Sequence, residues 1–303
     1  MRRDEVLALY DRAYARDYDQ RFLLADYTAP NADRELDLIR ALLAGPDASW
    51  LDIGCGTGYF LAQFAGVKRA GLDLSPAMLE LARERSPDAE FRRGDFREPI
   101  AEWNGSWSLV SCMWAAYAYV DTIAEVERVV ANMVAWTAPD GAVLIPIIDL
   151  PDLRNFDVTY RESTYFSGEV WVNGVIWSWT DEISGKLHQN LLAPHTEQFI
   201  DWLAPHFEEI RVVAYPQILD GVVSRKAVLA TDRKPAEANR RAQIVRDNFE
   251  TAEMPAPGIP TLEPQPVALA ASSFESLLAE LARRLRPRRA IRGLVARLRK
   301  AAR

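Results

Sequence analysis

Residues 51–58, Leu-Asp-Ile-Gly-Cys-Gly-Thr-Gly, restrict the fold more than any other part of the sequence. An apolar segment beginning at Trp50 runs into glycines at positions 54, 56 and 58, and a helical pattern opens at Tyr59. Only glycine lets a main chain turn tightly and lie against a ligand with no Cβ in the way. Strand, glycine turn and helix together predict an open α/β sheet with a ligand at the carboxyl end of its first strand. A chain of 303 residues has room for one such domain and an appendage.

The rest of the first half repeats the alternation. Leu36, Leu38, Ile39, Leu42 and Leu43 predict a helix before Gly45-Pro46. Residues 70–74 read as a second strand, and Ser75 then caps a helix with Pro76 at its first position. Residues 90–95 read as a third strand and turn, 108–113 as a fourth strand and 142–148 as a fifth. Residues 1–149 form the predicted core. Beyond it the apolar period falls toward two, through Val170, Val172, Ile176, Trp177 and Trp179. Asn173-Gly174 signals a hairpin and Ser184-Gly185 a second turn. Residues 150–231 are therefore expected to be an antiparallel addition that also supplies the closing strands of the main sheet. Residues 232–271, polar and then proline-rich, read as a linker. Residues 272–303 read as a basic amphipathic tail, capped by Ser272 and interrupted at Pro287.

Three carboxylates frame the glycine turn. Asp73 ends the second strand, where it can accept from two ribose hydroxyls. Gly94-Asp95-Phe96 follows the third, where a carboxylate and a ring can take the amino edge and face of a base. Asp52 precedes the glycines, within reach of an ammonium. With these residues in place, the segment Asp52–Gly58 resembles motif I of the class I methyltransferases that use S-adenosylmethionine. Asp73 resembles that family's ribose ligand and Gly94-Asp95-Phe96 its adenine-edge motif. Tyr10-Asp11, Tyr14 and Tyr18-Asp19 resemble the tyrosine-rich helix that covers the cofactor in small-molecule members.

The resemblance implies a Rossmann-like seven-stranded sheet and S-adenosylmethionine as cofactor. It places Asp52, Gly54, Cys55, Gly56, Gly58, Asp73, Leu74, Asp95, Phe96, Tyr14 and Tyr18 at the cofactor. Cys55 reads as a packed residue and not as a nucleophile, since no histidine lies near it in sequence, and Cys112, in the fourth strand, reads as core. Tyr14 and Tyr18 face either the cofactor or the sheet.

Methyl transfer from a sulfonium needs alignment and exclusion of water more than activation. A hydroxyl acceptor also needs a base, whereas a neutral amine attacks directly. His188 and His195 are the candidates for that base, with an ordinary sheet residue and a helix cap as the rival readings. His206 reads as structural, and the three histidines lack the spacing of a metal site. Trp114, Tyr117 and Tyr119 follow the fourth strand, Asp149 ends the fifth, and Trp177 lies in the aromatic addition. All five are candidates for contact with the acceptor, with core packing as the alternative. Aromatic faces beside Asn and His suit a saccharide or glycan acceptor. A natural-product or lipid methyltransferase is the rival enzyme, and a silent S-adenosylmethionine-binding module the rival of another class.

Charge divides the chain. Residues 273–303 hold ten Arg/Lys against two Asp/Glu, a net of +8, and the rest of the chain is acidic at −15. An acidic body is a poor partner for nucleic acid. The tail has the composition of a helix that lies on an anionic membrane surface. No run of 18 apolar residues and no leader pattern is present in this sequence, and its two cysteines form no framework. The expectation is a cytoplasmic protein, peripheral on the inner face of the membrane through its tail.

Overall fold

A computed structural model describes residues 3–25, 28–149, 161–162, 169–170, 174–181, 183–216, 225–235 and 242–247. These residues lie in one compact unit, 1–252. The tail and the proline-rich part of the predicted linker lie outside the described residues, as does Asn173.

The sheet is built outward from β1 (Ser49–Ile53), every residue of which is buried. It pairs in parallel with β2 (Lys68–Asp73) on one side and β4 (Trp107–Ser111) on the other. Next to β2 lies β3 (Glu90–Arg93), and next to β4 lies β5 (Thr137–Ile147), both parallel. The short strands β6 (Arg161–Glu162) and β7 (Glu169–Val170) pair with each other. β8 (Gly174–Thr180) and β9 (Leu187–Pro194) form a separate antiparallel hairpin. β10 (Phe207–Ala214), β11 (Lys226–Arg233) and β12 (Gln243–Arg246) then return to the main sheet, whose order is β12-β10-β11-β5-β4-β1-β2-β3.

Both faces of this sheet are covered, and side chains along the strands divide between them with a period of two. Leu51, Val110 and Ile145 join α6 (Ile123–Trp136) and α7 (Thr196–Leu203) in one core through Val126, Val129, Met133, Phe199 and Leu203. Their neighbours Trp50, Leu109 and Leu144 enter the opposite core. There they meet Ile39 of α3 (Ala29–Leu42), Phe60 and Leu61 of α4 (Tyr59–Ala62) and Leu79 of α5 (Pro76–Arg85). Strands buried on both faces read as continuous apolar runs, which is why the parallel part of the fold is plain in the sequence.

The N-terminal segment lies at the carboxyl ends of the strands. It comprises α1 (Arg3–Leu9), α2 (Arg12–Tyr18) and a π turn over Asp19–Leu23. Asp11 caps α2 by accepting from Tyr14 N–H at 2.9 Å. Ser75, after β2, donates to the Tyr10 carbonyl at 2.8 Å, and Thr57, in the glycine turn, donates to Asp19 Oδ1 at 2.6 Å. Lys186 of the hairpin turn donates to Asp11 Oδ2 at 2.8 Å and to the Leu9 carbonyl at 2.5 Å.

Two expectations need correction. The main sheet has eight described strands rather than seven, because residues 243–246 of the predicted linker pair in parallel with β10. Gly174 is not in a turn: it opens β8 opposite Pro194, and the hairpin turns at Ser184-Gly185, with Gly185 at φ +69°. The addition does complete the main sheet, through β10 and β11.

Candidate active site

The glycine turn after β1 forms the floor of a cleft. Gly54, Gly56 and Gly58 take φ values of +66°, +54° and +69°, all in the left-handed region, which explains glycine at every second position. Gly54 is also crowded: a Cβ there would lie 2.5 Å from Ala116 Cβ. A Cβ on Gly58 would lie 3.0 Å from Ala82 of α5, so this glycine serves helix packing. Gly56 has no atom within 4 Å of that position and faces open space.

Asp73 holds the turn. Its Oδ2 accepts from Gly56 N–H and its Oδ1 from Ser75 N–H, each at 2.8 Å. Leu74 N–H also acts on the carboxylate, which leaves capacity for one further donor. Burial raises its pKa, against the backbone donors, which lower it. Asp52 lies deeper and accepts from Ser111 Oγ at 2.7 Å. Burial pushes its carboxyl up to about 7, opposed by the Ser111 hydroxyl. Asp95 is gripped by Arg97, from Nε at 3.0 Å and Nη2 at 2.8 Å, and by Arg97 N–H at 3.0 Å. Burial works to raise its pKa, but the Arg97 bonds prevail and hold it below the usual carboxylate value. Oδ1 is thereby filled, and Oδ2 retains capacity for one more donor.

The cleft has about 1010 Å³ of space, counted with its open mouth. Of the residues expected at the cofactor, it is lined by Asp52, Gly54, Cys55, Gly56, Asp73, Leu74, Asp95, Phe96 and Tyr18. Gly58 and Tyr14 are not on its wall. Cys55 packs against β2, where a Cβ on Gly71 would lie 2.6 Å from its sulfur, and burial raises its thiol pKa well above the usual value.

Of the acceptor candidates, Trp114 and Tyr119 line the cleft. Trp114 and Ala115 stand at φ 53° and 55°, a pair of left-handed residues in the turn after β4 that seats Ala116 against Gly54. Such strain persists only where the surroundings enforce it. Tyr117, Asp149 and Trp177 do not line the cleft. Tyr117 is buried against Phe199, and its hydroxyl accepts from Ile148 N–H at 3.0 Å. Asp149 Oδ2 accepts from the Thr196 hydroxyl at 2.5 Å and fastens α7 to the end of β5. Trp177 packs against the core on the α6 side of the sheet.

The two candidate bases differ. His195 stands at the start of α7 with Nδ1 3.3 Å from Asp149 Oδ1, away from the cleft wall. His188 is also off the wall, but its Nδ1 lies 2.9 Å from the hydroxyl of Tyr119, which is on it. Tyr10, of the tyrosine pattern, also lines the cleft, as do Arg3 and Arg97, which were not singled out. Tyr10 carried a signal as the first residue of the tyrosine pattern, and Arg97 follows Asp95-Phe96 directly.

A glycine floor with open space above Gly56, two carboxylates with unused lone pairs, and the Phe96 and Tyr18 rings fit an adenosyl ligand. Cavities of several hundred Å³ with few polar groups are typical of small-molecule sites.

Residues 51–141 match the family model described as a methyltransferase domain. The chain is 35% identical over 127 residues to the dTDP-4-amino-2,3,4,6-tetradeoxy-D-glucose N,N-dimethyltransferase of Saccharopolyspora spinosa, covering 41% of this chain and 49% of that one. It is 35% identical over 142 residues to the dTDP-3-amino-3,4,6-trideoxy-alpha-D-glucopyranose N,N-dimethyltransferase of Streptomyces venezuelae, covering 45% and 58%. The chain thus spans about half the length of the curated relatives it matches. Among solved structures, S-adenosylmethionine-bound CalS10, an amino pentose methyltransferase from Micromonospora echinaspora, superposes at a TM-score of 0.47 and 25% identity, covering 67% of this chain and 90% of that one. The strand order and the left-handed glycine turn accompany the family-model match: residues 51–141 form a methyltransferase domain, similar to those of the class I, S-adenosylmethionine-dependent enzymes.

Proposed function

We propose that this protein transfers a methyl group from S-adenosylmethionine to an amino group of a small saccharide, with a nucleotide-linked amino sugar as the favoured acceptor. The observation that carries the reading is the cleft itself. It presents carboxylates at 73 and 95, open space over Gly56, and an aromatic lining in which the Tyr119 hydroxyl is bonded to a histidine. Curated relatives that act on dTDP-linked amino sugars support the choice of acceptor.

In this reading Gly54 and Gly56 give the cofactor close access to main chain, and Asp73 accepts from one of its ribose hydroxyls. Asp95 takes the adenine amino group with its one remaining lone pair, and Phe96 and Leu74 contact the ring. Bound S-adenosylmethionine supplies an electrophilic methyl on a sulfonium. The protein then has to align the acceptor and keep out water, a task for the Tyr10, Tyr18 and Trp114 side chains that line the cleft.

Purified protein supplied with S-adenosylmethionine and dTDP-3-amino-3,6-dideoxyglucose is expected to release S-adenosylhomocysteine and a product heavier by one or two CH₂ groups. The matched hydroxy sugar and an apolar phenol serve as competitors. Turnover on the phenol with none on either sugar would overturn the saccharide reading. Turnover on the hydroxy sugar alone would replace N- by O-methylation.

A further inference from the structure

His188, on β9, is 1% exposed and is bonded on both ring nitrogens. Nδ1 lies 2.9 Å from the Tyr119 hydroxyl, and Nε2 lies 2.9 Å from the Tyr14 hydroxyl. Trp179 stacks on the ring at 4.2 Å and 18°. Tyr119 lines the cleft and the other two do not, so a file of three polar groups runs from the cleft wall inward.

A neutral imidazole has one N–H and one bare nitrogen, so one hydroxyl must give to it and the other must take from it. Asp181 decides which. Its carboxylate is ion-paired with Arg21 and bonded by the Ser184 hydroxyl, and its charge acts on Tyr14. An anion there draws the Tyr14 hydrogen toward itself and leaves the Tyr14 oxygen free to accept from Nε2–H. Nδ1 is then the bare nitrogen, and it takes the Tyr119 hydrogen. The Tyr119 oxygen then has one lone pair for the Tyr10 hydroxyl and one for the cleft.

We propose that Tyr119 and His188 together receive the proton released by the acceptor, with Tyr14 and Asp181 as positioning residues that fix the histidine tautomer. The assignment rests on the reading of the cleft as the acceptor site. Forming the new N–C bond uses the nitrogen lone pair, and the bond to sulfur returns its pair to sulfur. An acceptor that enters as its ammonium must first lose one proton to free that lone pair. That proton passes to the Tyr119 oxygen as the Tyr119 hydrogen passes to Nδ1. The resulting imidazolium keeps Nε2–H on Tyr14.

The charges around the ring agree with a base that is neutral at rest. Burial pushes His188 down to about 4; Asp181 pulls it up, and Lys186 and Arg21 push it down. Tyr10 approaches both His188 and Tyr119 edge-on, with centroids at 6.3 Å and 5.5 Å. Burial raises Tyr119 to about 12, opposed by its hydrogen bond with Tyr10.

Two measurements test this. Long-range ¹H–¹⁵N spectra of the protein, which has three histidines, report the His188 tautomer without any acceptor. The Nε2–H form at pH 7 is expected. The Nδ1–H form would overturn the proposal, because Tyr119 would then point its hydrogen at the acceptor. In the second arm, Tyr119→Phe is expected to lower kcat on dTDP-3-amino-3,6-dideoxyglucose roughly 100-fold, the low end for general base catalysis. Calorimetry should show its affinity for S-adenosylmethionine unchanged. His188→Gln should lower kcat in the same direction, again at constant cofactor affinity. Parental kcat in Tyr119→Phe would equally overturn the proposal. If the parent protein turns over no amino sugar, the acceptor reading fails, and the tautomer alone decides the dyad.

Discussion

Gly54 and Gly56 have nearly the same backbone and face different neighbours, so alanine should separate folding from binding. A left-handed alanine costs about 1–2 kcal/mol at either position. At Gly54 the new methyl also meets Ala116 Cβ at 2.5 Å, and overpacking adds about 1–3 kcal/mol. At Gly56 the methyl enters open space that the cofactor needs. Thermal denaturation should therefore show the larger fall in Tm for Gly54→Ala. Gly56→Ala should stay folded and lose S-adenosylmethionine affinity in calorimetry by at least about tenfold, the equivalent of one lost hydrogen bond. Gly56→Ala binding as tightly as the parent would remove the cofactor from this turn. These positions were legible because the constraint is local, as it was for Asp73 and Asp95 at the strand ends. The partners of His188 were not. They lie 174 and 69 residues away, at Tyr14 and Tyr119, and no local pattern reports such a pairing. Tyr117 shows the converse: a tyrosine in the right segment turned into the core, which side-chain type alone does not reveal.

At the scale of elements, α3 buries two polar residues on its covered face. Asn31, Glu35 and Ile39 follow at helical spacing on its covered face. Glu35 is 2% exposed and accepts from the Tyr215 hydroxyl at 2.9 Å. Its Oε2 and the Oδ1 of Asn31 one turn earlier both lack a donor. Burial raises the Glu35 pKa to about 8, against the Tyr215 bond and the Arg225 charge. A carboxyl whose folded pKa exceeds its unfolded value of about 4.3 holds its proton longer when folded. Its contribution to stability is complete below that unfolded value, declines as pH rises, and is lost above about 8. Glu35→Gln keeps an oxygen for Tyr215 and removes the titration. Its Tm should match the parent's below about pH 4 and exceed it at pH 9. Parallel pH profiles for the two proteins would show that Glu35 is ionised throughout. The helix was visible from its leucines, but its buried acid was not, because charged residues are read as solvated until a partner from a distant strand is known. Gly174 departs from its turn expectation for a similar reason. A turn dipeptide states a local preference, and pairing of Gly174 with Pro194 across the hairpin overrode it. Gln243–Arg246 was missed because an edge strand with one described neighbour needs little apolar sequence.

Over the whole molecule, charge divides between an acidic remainder and the basic segment 272–303. No helix among the described residues is long and apolar enough to cross a membrane. The basic segment 272–303 lies outside those residues, so its role rests on sequence alone. Ten cationic residues with Leu277, Leu278, Leu281 and Leu285 at helical spacing suit adsorption to anionic lipid. Near such a surface each cation contributes about 1 kcal/mol at physiological salt, enough for the segment to bind without a second anchor. The rival partner is the acidic remainder of the chain. We propose the membrane surface, and deletion of residues 272–303 separates the two. Vesicles containing phosphatidylserine should retain the full chain and release the truncated one, with retention falling as salt shortens the Debye length. S-adenosylmethionine affinity should be the same for both, since the cleft is walled by residues between 3 and 120. Equal retention of the two forms would assign vesicle binding to the body. Loss of cofactor affinity on truncation would instead place the tail on the catalytic body.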